Sequence, residues 1–238
     1  MLYNLKFMNR KRGFIFDLDG VIVDTAKYHF LAWKKLANSI GIDFTEHQNE
    51  QLKGVSRIES LKKILKWGDI TLSEADFNRL MADKNTNYLS YIATMDESEI
   101  LPGVIKALQF LIDKKQPIAL GSASKNSVEI LNKVNLLNRF DAIIDGNAVT
   151  KAKPDPEVFL KAAQSIHFSP ENCIVFEDSV AGIQAANRAN MISIGIGEAS
   201  ILNEADVVFK DFSEISTDFL EKLLSVTKSE LKKYKNHL

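Results

Sequence analysis

The 238-residue chain has one cysteine, Cys173, so an intramolecular disulfide and a cysteine-based zinc cage are both excluded. That residue opens the apolar run Cys173-Ile174-Val175-Phe176, where a thiol reads as a small buried hydrophobe. A reducing, cytoplasmic setting is expected. Proline and glycine are scarce, at 5 and 11, against 14 phenylalanines and 45% hydrophobic residues. This balance excludes collagenous and low-complexity chains and predicts a packed core. No run of about 18 apolar residues occurs, so no membrane-spanning helix is expected. Asn4, Lys6 and Asn9 interrupt Met1–Arg12 before an apolar stretch of about 7–15 residues can form, so no secretory signal is expected either. Charge of one sign is also lacking. Thirty Lys+Arg against 31 Asp+Glu leave a net charge of −1, which offers nucleic acid no basic field. Neither nucleic acid nor membrane is an expected partner, a monomer is expected, and any charged ligand must be met by local clusters.

Short apolar runs recur along the chain: Gly13–Phe16, Pro117–Leu120, Ala142–Ile144, Ile174–Phe176, Ile192–Ile194 and Val207–Phe209. From about residue 100 onward they alternate with helical patterns, which predicts an α/β fold with a doubly wound parallel sheet. The interval from Thr25 to Met95 is helical in pattern throughout. Ala26, His29, Phe30, Trp33, Ala37 and Ile40 recur at a spacing of three to four, and Gly41 ends that helix. Ser73 caps another, with Glu74 and Asp76 in its first turn. Leu101-Pro102-Gly103 marks re-entry before a helix over Val104–Asp113. The expected division is a core of residues 1–24 and 96–238 with a helical insert at 25–95. Lys228–Leu238 is expected to be a solvated last helical turn with fraying residues.

Asp17-Leu18-Asp19-Gly20 directly follows the first apolar run. In an open parallel sheet, ligands bind at the carboxyl ends of the strands. Alone, the pair reads equally as an Asx-type turn in which Gly20 supplies a positive φ. A second acidic pair, Glu177-Asp178, ends Ile174–Phe176 in the same manner. Carboxylates converging there repel unless a hard cation lies between them, and Mg²⁺ is the natural candidate. Ser122-Ala123-Ser124-Lys125-Asn126 follows Pro117–Leu120 and is expected to open a helix, where hydroxyls and free backbone N–H groups bind anions and Ser124 serves as N-cap. In Lys151-Ala152-Lys153-Pro154-Asp155-Pro156 the prolines stiffen the loop, so one lysine is held in place, although a lone lysine there would read as solvated.

Asp17-x-Asp19, Ser122, Lys153 and Glu177-Asp178, in that order at strand ends, resemble the four motifs of the haloacid dehalogenase superfamily of phosphoryl-transfer enzymes. The insert is similar to the helical cap of the β-phosphoglucomutase family in three stretches: Asp24 through Trp33, Leu52-Lys53-Gly54-Val55-Ser56-Arg57 with Glu59-Ser60-Leu61, and Asp83-Lys84-Asn85. The similarity runs from about Gly13 to about Phe209 and implies a Rossmann-like core with an all-helical cap domain. It implies that Asp17 is the nucleophile, carrying an aspartyl-phosphate, and that Asp19 is the general acid and base. Mg²⁺ is then held by the Asp17 carboxylate, the Asp19 backbone carbonyl, Glu177 and Asp178. Ser122 and Lys153 bind the transferring phosphoryl group. Arg57, with Ser124, Lys125 and Asn126, clamps a second phosphate. Trp33, Lys53, Gly54, Val55, Ser60 and Lys84 line the sugar, with Thr25, Leu52, Ser56 and Ala123 among the substrate contacts. His29, which alone would read as a core histidine, becomes a hinge group linking cap closure to Asp19. The implied reaction is an isomerisation between β-D-glucose 1-phosphate and β-D-glucose 6-phosphate through β-glucose 1,6-bisphosphate. A sugar-phosphate phosphatase of the same superfamily is the rival, and a non-catalytic phosphosugar-binding protein a further one. His29 with Trp33, and the cationic stretch Lys53–Arg57, favour the mutase.

Overall fold

The computed structural model describes residues 12–234. The apolar runs form six strands: β1 (Gly13–Phe16), β2 (Ile118–Gly121), β3 (Ala142–Ile144), β4 (Cys173–Glu177), β5 (Ile192–Ile196) and β6 (Val207–Phe209). They pair in parallel in the order β3-β2-β1-β4-β5-β6. Four helices lie between β1 and the rest of the sheet: α1 (Ala26–Ser39), α2 (Glu46–Glu50), α3 (Arg57–Trp67) and α4 (Glu74–Ile92). They are followed by α5 (Val104–Asp113), α6 (Ser127–Lys133), α7 (Glu157–Ser165), α8 (Val180–Arg188), α9 (Thr217–Leu223) and α10 (Lys228–Tyr234).

Successive strand residues face opposite sides of a sheet, and this alternation divides the core in two. Phe14 and Phe16 of β1 join Ile174 and Phe176 of β4 beneath α5, α6, α9 and α10. Ile15, Cys173 and Val175 face α7 and α8 on the other side. Both faces are covered, which is why the strands read as continuous apolar runs rather than as alternating ones. Cys173 is fully buried, and its thiol donates to the Ser169 carbonyl at 3.5 Å.

The helices between β1 and α5 keep a cluster of their own, with Trp33, Leu36, Phe44, Leu61, Ile64 and Leu80 at its centre. Ala32 of α1 and Tyr88 and Ile92 of α4 instead pack into the sheet's core, so these two helices root the insert. Gly41, at φ 79°, follows the end of α1, and the Ile42 N–H donates back to the Ala37 carbonyl at 2.9 Å. Ser73 caps α4 by accepting from the Asp76 N–H at 3.1 Å.

Two sequence expectations are corrected. Ser124 does not cap α6, which starts at Ser127 with Asn126 at the N-cap position. The hydroxyls of Ser122 and Ser124 accept from the N–H groups of Ser124 and Asn126 at 3.1 and 3.3 Å, and these side-chain bonds hold the chain in tight turns before the helix begins. Nor is Lys228, the first residue of the C-terminal helix, free in solvent, although Ser229 and Glu230 beside it are exposed as expected. Lys228 donates to Asn187 Oδ1 at 2.9 Å and to the Met191 carbonyl, and pairs with Asp206 at 3.2 Å. Asp206 is buried, and a buried carboxylate needs such a partner. The leader reading for residues 1–11 and the fraying expected of 235–238 lie outside the described residues. No helix among the described residues is long and apolar enough to cross a membrane.

Candidate active site

From β1 the chain builds β2 and β3 on one side and β4 to β6 on the other, so the carboxyl ends of β1 and β4 flank the crevice where the order reverses. Asp17, just past β1, donates its N–H to the Phe176 carbonyl of β4 at 3.0 Å, which brings it beside Glu177. Lys153 reaches between them from the loop before α7. Its Nζ donates to Asp17 Oδ1 at 2.5 Å and to Glu177 Oε2 at 2.8 Å, with the lysine side chain 1% exposed. The other Glu177 oxygen accepts from the Ser179 N–H at 2.9 Å and its hydroxyl at 2.7 Å. Helix α8 closes over this carboxylate because residue 182 is glycine: a Cβ there would lie 2.0 Å from Glu177 Cδ. At Gly20, φ is 77° and a Cβ would lie 2.1 Å from Asp178 Oδ2.

Asp17, Glu177 and Asp178 each bring a carboxylate oxygen within 4.8 Å of the others. Burial works against the Lys153 ammonium, but the Asp17 and Glu177 carboxylates outweigh it and keep the lysine protonated. Burial, and next Glu177 and Asp17, hold the Asp178 carboxyl well above the usual carboxylate range, while Lys53 opposes them. One ammonium cannot offset three crowded carboxyl groups, and a divalent cation among them would supply the charge that lets all three ionise. This all-oxygen donor set fits a hard divalent cation of the Mg²⁺ kind.

The Asp19 carboxylate stands outside that cluster. Its Oδ1 accepts from the Thr25 hydroxyl, and His29 Nε2 lies 3.8 Å from the same oxygen. His29 Nδ1 is 3.1 Å from Lys84 Nζ. Burial, followed by Lys84 and Arg57, lowers the His29 pKa well below its ordinary value, so the ring is neutral. A neutral ring that accepts the Lys84 proton at Nδ1 carries its own at Nε2, facing Asp19. Lys84 is buried, and burial together with Arg57 brings its pKa down to about 7 against the pull of Asp19. The rings of Trp33 and Tyr88 lie 4.7 and 4.6 Å from its ammonium.

These groups border one cavity of about 390 Å³. The sheet side contributes Asp17, Asp19, residues 122–126, Lys153 and Asp178, and the insert contributes Thr25, His29, Trp33, residues 52–57, Ser60 and Lys84. Of the site residues expected from the sequence, Glu177 alone does not line the cavity and lies buried beneath it. Arg57 and Lys125 border the space, and neither forms an ion pair among the described residues. Around the cavity the insert also meets the sheet domain through Lys53, Gly54 and Asn85. Lys53 lies 3.9 Å from Asp178, Asn126 donates to Asn85 Oδ1 at 3.2 Å, and Gly54 sits so close to Ser179 that a Cβ would fall 2.3 Å from its hydroxyl. Asn49, Met81, Gly146 and Val149 also line the cavity, and sequence reasoning does not single them out. Gly146 alone offers a signal, as a glycine just past β3: its N–H donates to the Ser124 carbonyl at 3.0 Å, and a Cβ would lie 2.4 Å from the Ala123 oxygen.

A parallel sheet with aspartates, a buried lysine and an acidic pair at its switch point, closed by a helical insert, defines a class of phosphoryl-transfer proteins. The chain belongs to the haloacid dehalogenase-like hydrolase family, which matches residues 11–190. It is 40% identical over 211 residues to the β-phosphoglucomutase of Bacillus subtilis (strain 168), an alignment spanning 88% of this chain and 93% of that protein. A phosphorylated carbohydrates phosphatase of Thermotoga maritima is 30% identical over 219 residues, spanning 91% and 98%. The crystal structure of β-phosphoglucomutase from Clostridium difficile superposes with a TM-score of 0.86 at 41% identity, covering 90% of this chain and 97% of that one. The family resemblance seen in the motifs is thus matched over most of the chain.

Proposed function

We propose that the protein is a β-phosphoglucomutase that interconverts β-D-glucose 1-phosphate and β-D-glucose 6-phosphate through β-glucose 1,6-bisphosphate. One observation carries the reading. A single cavity holds both the Asp17–Lys153 centre and the uncommitted cations Arg57 and Lys125, which makes two poles for phosphate in one space. A hydrolase of sugar monophosphates needs only the first.

Phosphorylated Asp17 gives its phosphoryl group to the 6-hydroxyl of β-glucose 1-phosphate while Asp19 takes the hydroxyl proton. The bisphosphate then turns round, Asp17 attacks the phosphorus at C1, and Asp19 returns the proton to the departing sugar oxygen. Ser122 and Lys153 bind the equatorial oxygens of the group in transfer, while Arg57, Ser124, Lys125 and Asn126 hold the other phosphate. Thr25 and His29 orient Asp19. Trp33, Leu52, Lys53, Gly54, Val55, Ser56, Ser60, Lys84 and Ala123 contact the substrate. In this reading Asp17, Glu177, Asp178 and the Asp19 carbonyl hold Mg²⁺, which when bound screens the negative charge of the phosphoryl group. Residues 25–95 act as a cap on a core of 1–24 and 96–238. Its closure keeps water from the aspartyl-phosphate. The setting is cytoplasmic and the protein a monomer.

The test is a coupled assay with purified protein, Mg²⁺, a trace of bisphosphate and β-glucose 1-phosphate. Glucose 6-phosphate is the expected product, and free phosphate as sole product refutes the mutase. A second reading, sugar-phosphate phosphatase, is favoured by the likeness to the Thermotoga maritima phosphatase and predicts that outcome.

A further inference from the structure

The chain enters the insert through residues 23–25 and returns through 93–101, and the two connections are tied together. Val23 forms a bridge with Asp19 on one side and with Ile100 on the other. The Asp24 N–H donates to the Glu99 carbonyl at 2.9 Å, and the Leu101 N–H to the Ile22 carbonyl at 3.0 Å. The backbone of Asp19 is therefore one strand away from the returning connection.

One side chain of that connection grips the start of α1. Glu99 Oε1 accepts from the Tyr28 hydroxyl at 2.6 Å and from Lys27 Nζ at 2.7 Å, and the carboxylate is only 12% exposed. The gripped turn is the one that serves Asp19. The Thr25 carbonyl accepts the N–H groups of Tyr28 and His29, each at 3.0 Å, while the Thr25 hydroxyl donates to Asp19. Glu99 stands on a fixed base, because Asn135 donates to Glu97 Oε1 at 2.7 Å and Lys133 to the Ala93 carbonyl at 2.9 Å, both from the end of α6 or just beyond it. Of the two donors, half-buried Tyr28 holds the turn more firmly; Lys27 is 52% exposed, and exposed ion pairs contribute little.

We infer that Glu99 is a positioning residue for phosphoryl transfer, clamping the first turn of α1 through Tyr28 so that Thr25 and His29 meet Asp19. The inference rests on Asp19 acting as general acid and base. Glu99 touches neither the cavity nor the acidic cluster. Without it the turn loosens, and a displacement of about 1 Å at Asp19 costs up to about 100-fold in rate.

The experiment compares wild type with Glu99→Ala, Glu99→Gln, Tyr28→Phe and Lys27→Met in the coupled assay, with melting curves alongside. Glu99→Ala is expected to lower kcat by about 10- to 100-fold while KM changes by less than about threefold. Glu99→Gln keeps an acceptor oxygen for Tyr28 and restores most of kcat. Tyr28→Phe reproduces the split, and Lys27→Met does not. Unchanged kcat in Glu99→Ala overturns the inference, as does a loss that Tyr28→Phe does not share. If Glu99→Ala fails to fold, Tyr28→Phe decides alone, since it removes one hydroxyl and leaves the carboxylate. Should wild type release only free phosphate, the mutase reading falls, and the same variants are compared by that release, in which Asp19 activates the attacking water. The same pattern of losses then upholds Glu99, and equal rates overturn it.

Discussion

Gly182→Ala tests whether the Glu177 carboxylate is held as tightly as its surroundings require. The added methyl would lie 2.0 Å from Glu177 Cδ, 2.1 Å from Oε2 and 2.4 Å from Cγ, far inside contact distance. Glu177 is fully buried, with Lys153 on one oxygen and Ser179 on the other. If the carboxylate yields, it gives up hydrogen bonds to a charged group, each contributing about 1.5–3 kcal/mol. If α8 moves instead, overpacking costs about 1–3 kcal/mol. Either route destabilises the protein, by roughly 1–4 kcal/mol, which for a chain of this size lowers Tm by roughly 2–16 °C. The variant should also need more Mg²⁺ for half-maximal turnover, because one carboxylate of the cluster has shifted. Calorimetry and an Mg²⁺ titration of activity measure the two effects. A variant with the wild-type Tm and the wild-type Mg²⁺ midpoint refutes the reasoning.

Asp17→Asn keeps the size of the side chain and an oxygen for Lys153 but removes the nucleophile; turnover should fall by more than about 10³-fold with melting nearly unchanged, and an active variant removes Asp17 from its role. Gly54→Ala places a methyl 2.3 Å from the Ser179 hydroxyl at a φ of 70°, which holds the insert off the sheet domain. The ratio of free phosphate to glucose 6-phosphate should rise about tenfold, and an unchanged ratio argues against closure at this contact. Lys84→Met probes a lysine whose pKa falls from 10.5 unfolded to about 7 folded. Between those values the unfolded chain binds the extra proton, so wild-type stability rises with pH, and the penalty on burying the charge is full below about pH 7. Denaturant melts should therefore show the variant gaining most on wild type at pH 7 and below and least near pH 10, and a gap that is flat with pH contradicts the shift.

The strands and the acidic motifs were legible for the same reason. A parallel strand covered on both faces is an unbroken apolar run, and Asp17, Ser122 and Glu177 lie at or just past the points where such runs stop. Strand ends shifted by a residue or two: β4 takes in Glu177, and β5 continues to Ile196. Groups whose meaning depends on distant partners were not legible. Glu99 meets Lys27 across 72 positions, and nothing local distinguishes it from a solvated acid. Lys228 read as part of a solvated turn because its buried partner Asp206, bonded to Ser193 of β5, is not among the residues around the lysine. Ser124 looked like an N-cap because Ser and Asn favour both caps and turns, and here the turns prevail.

In the mutase reading one cavity handles both phosphates of a hexose bisphosphate without releasing either to water. Phosphorus NMR of the protein incubated with Mg²⁺, a trace of bisphosphate and each anomer of glucose 1-phosphate follows the fate of each phosphate. The β-anomer's C1 phosphate signal is expected to be replaced in equal amount by that of glucose 6-phosphate, while the α-anomer stays unchanged. Inorganic phosphate growing at the expense of the β-anomer signal, with no glucose 6-phosphate, contradicts it.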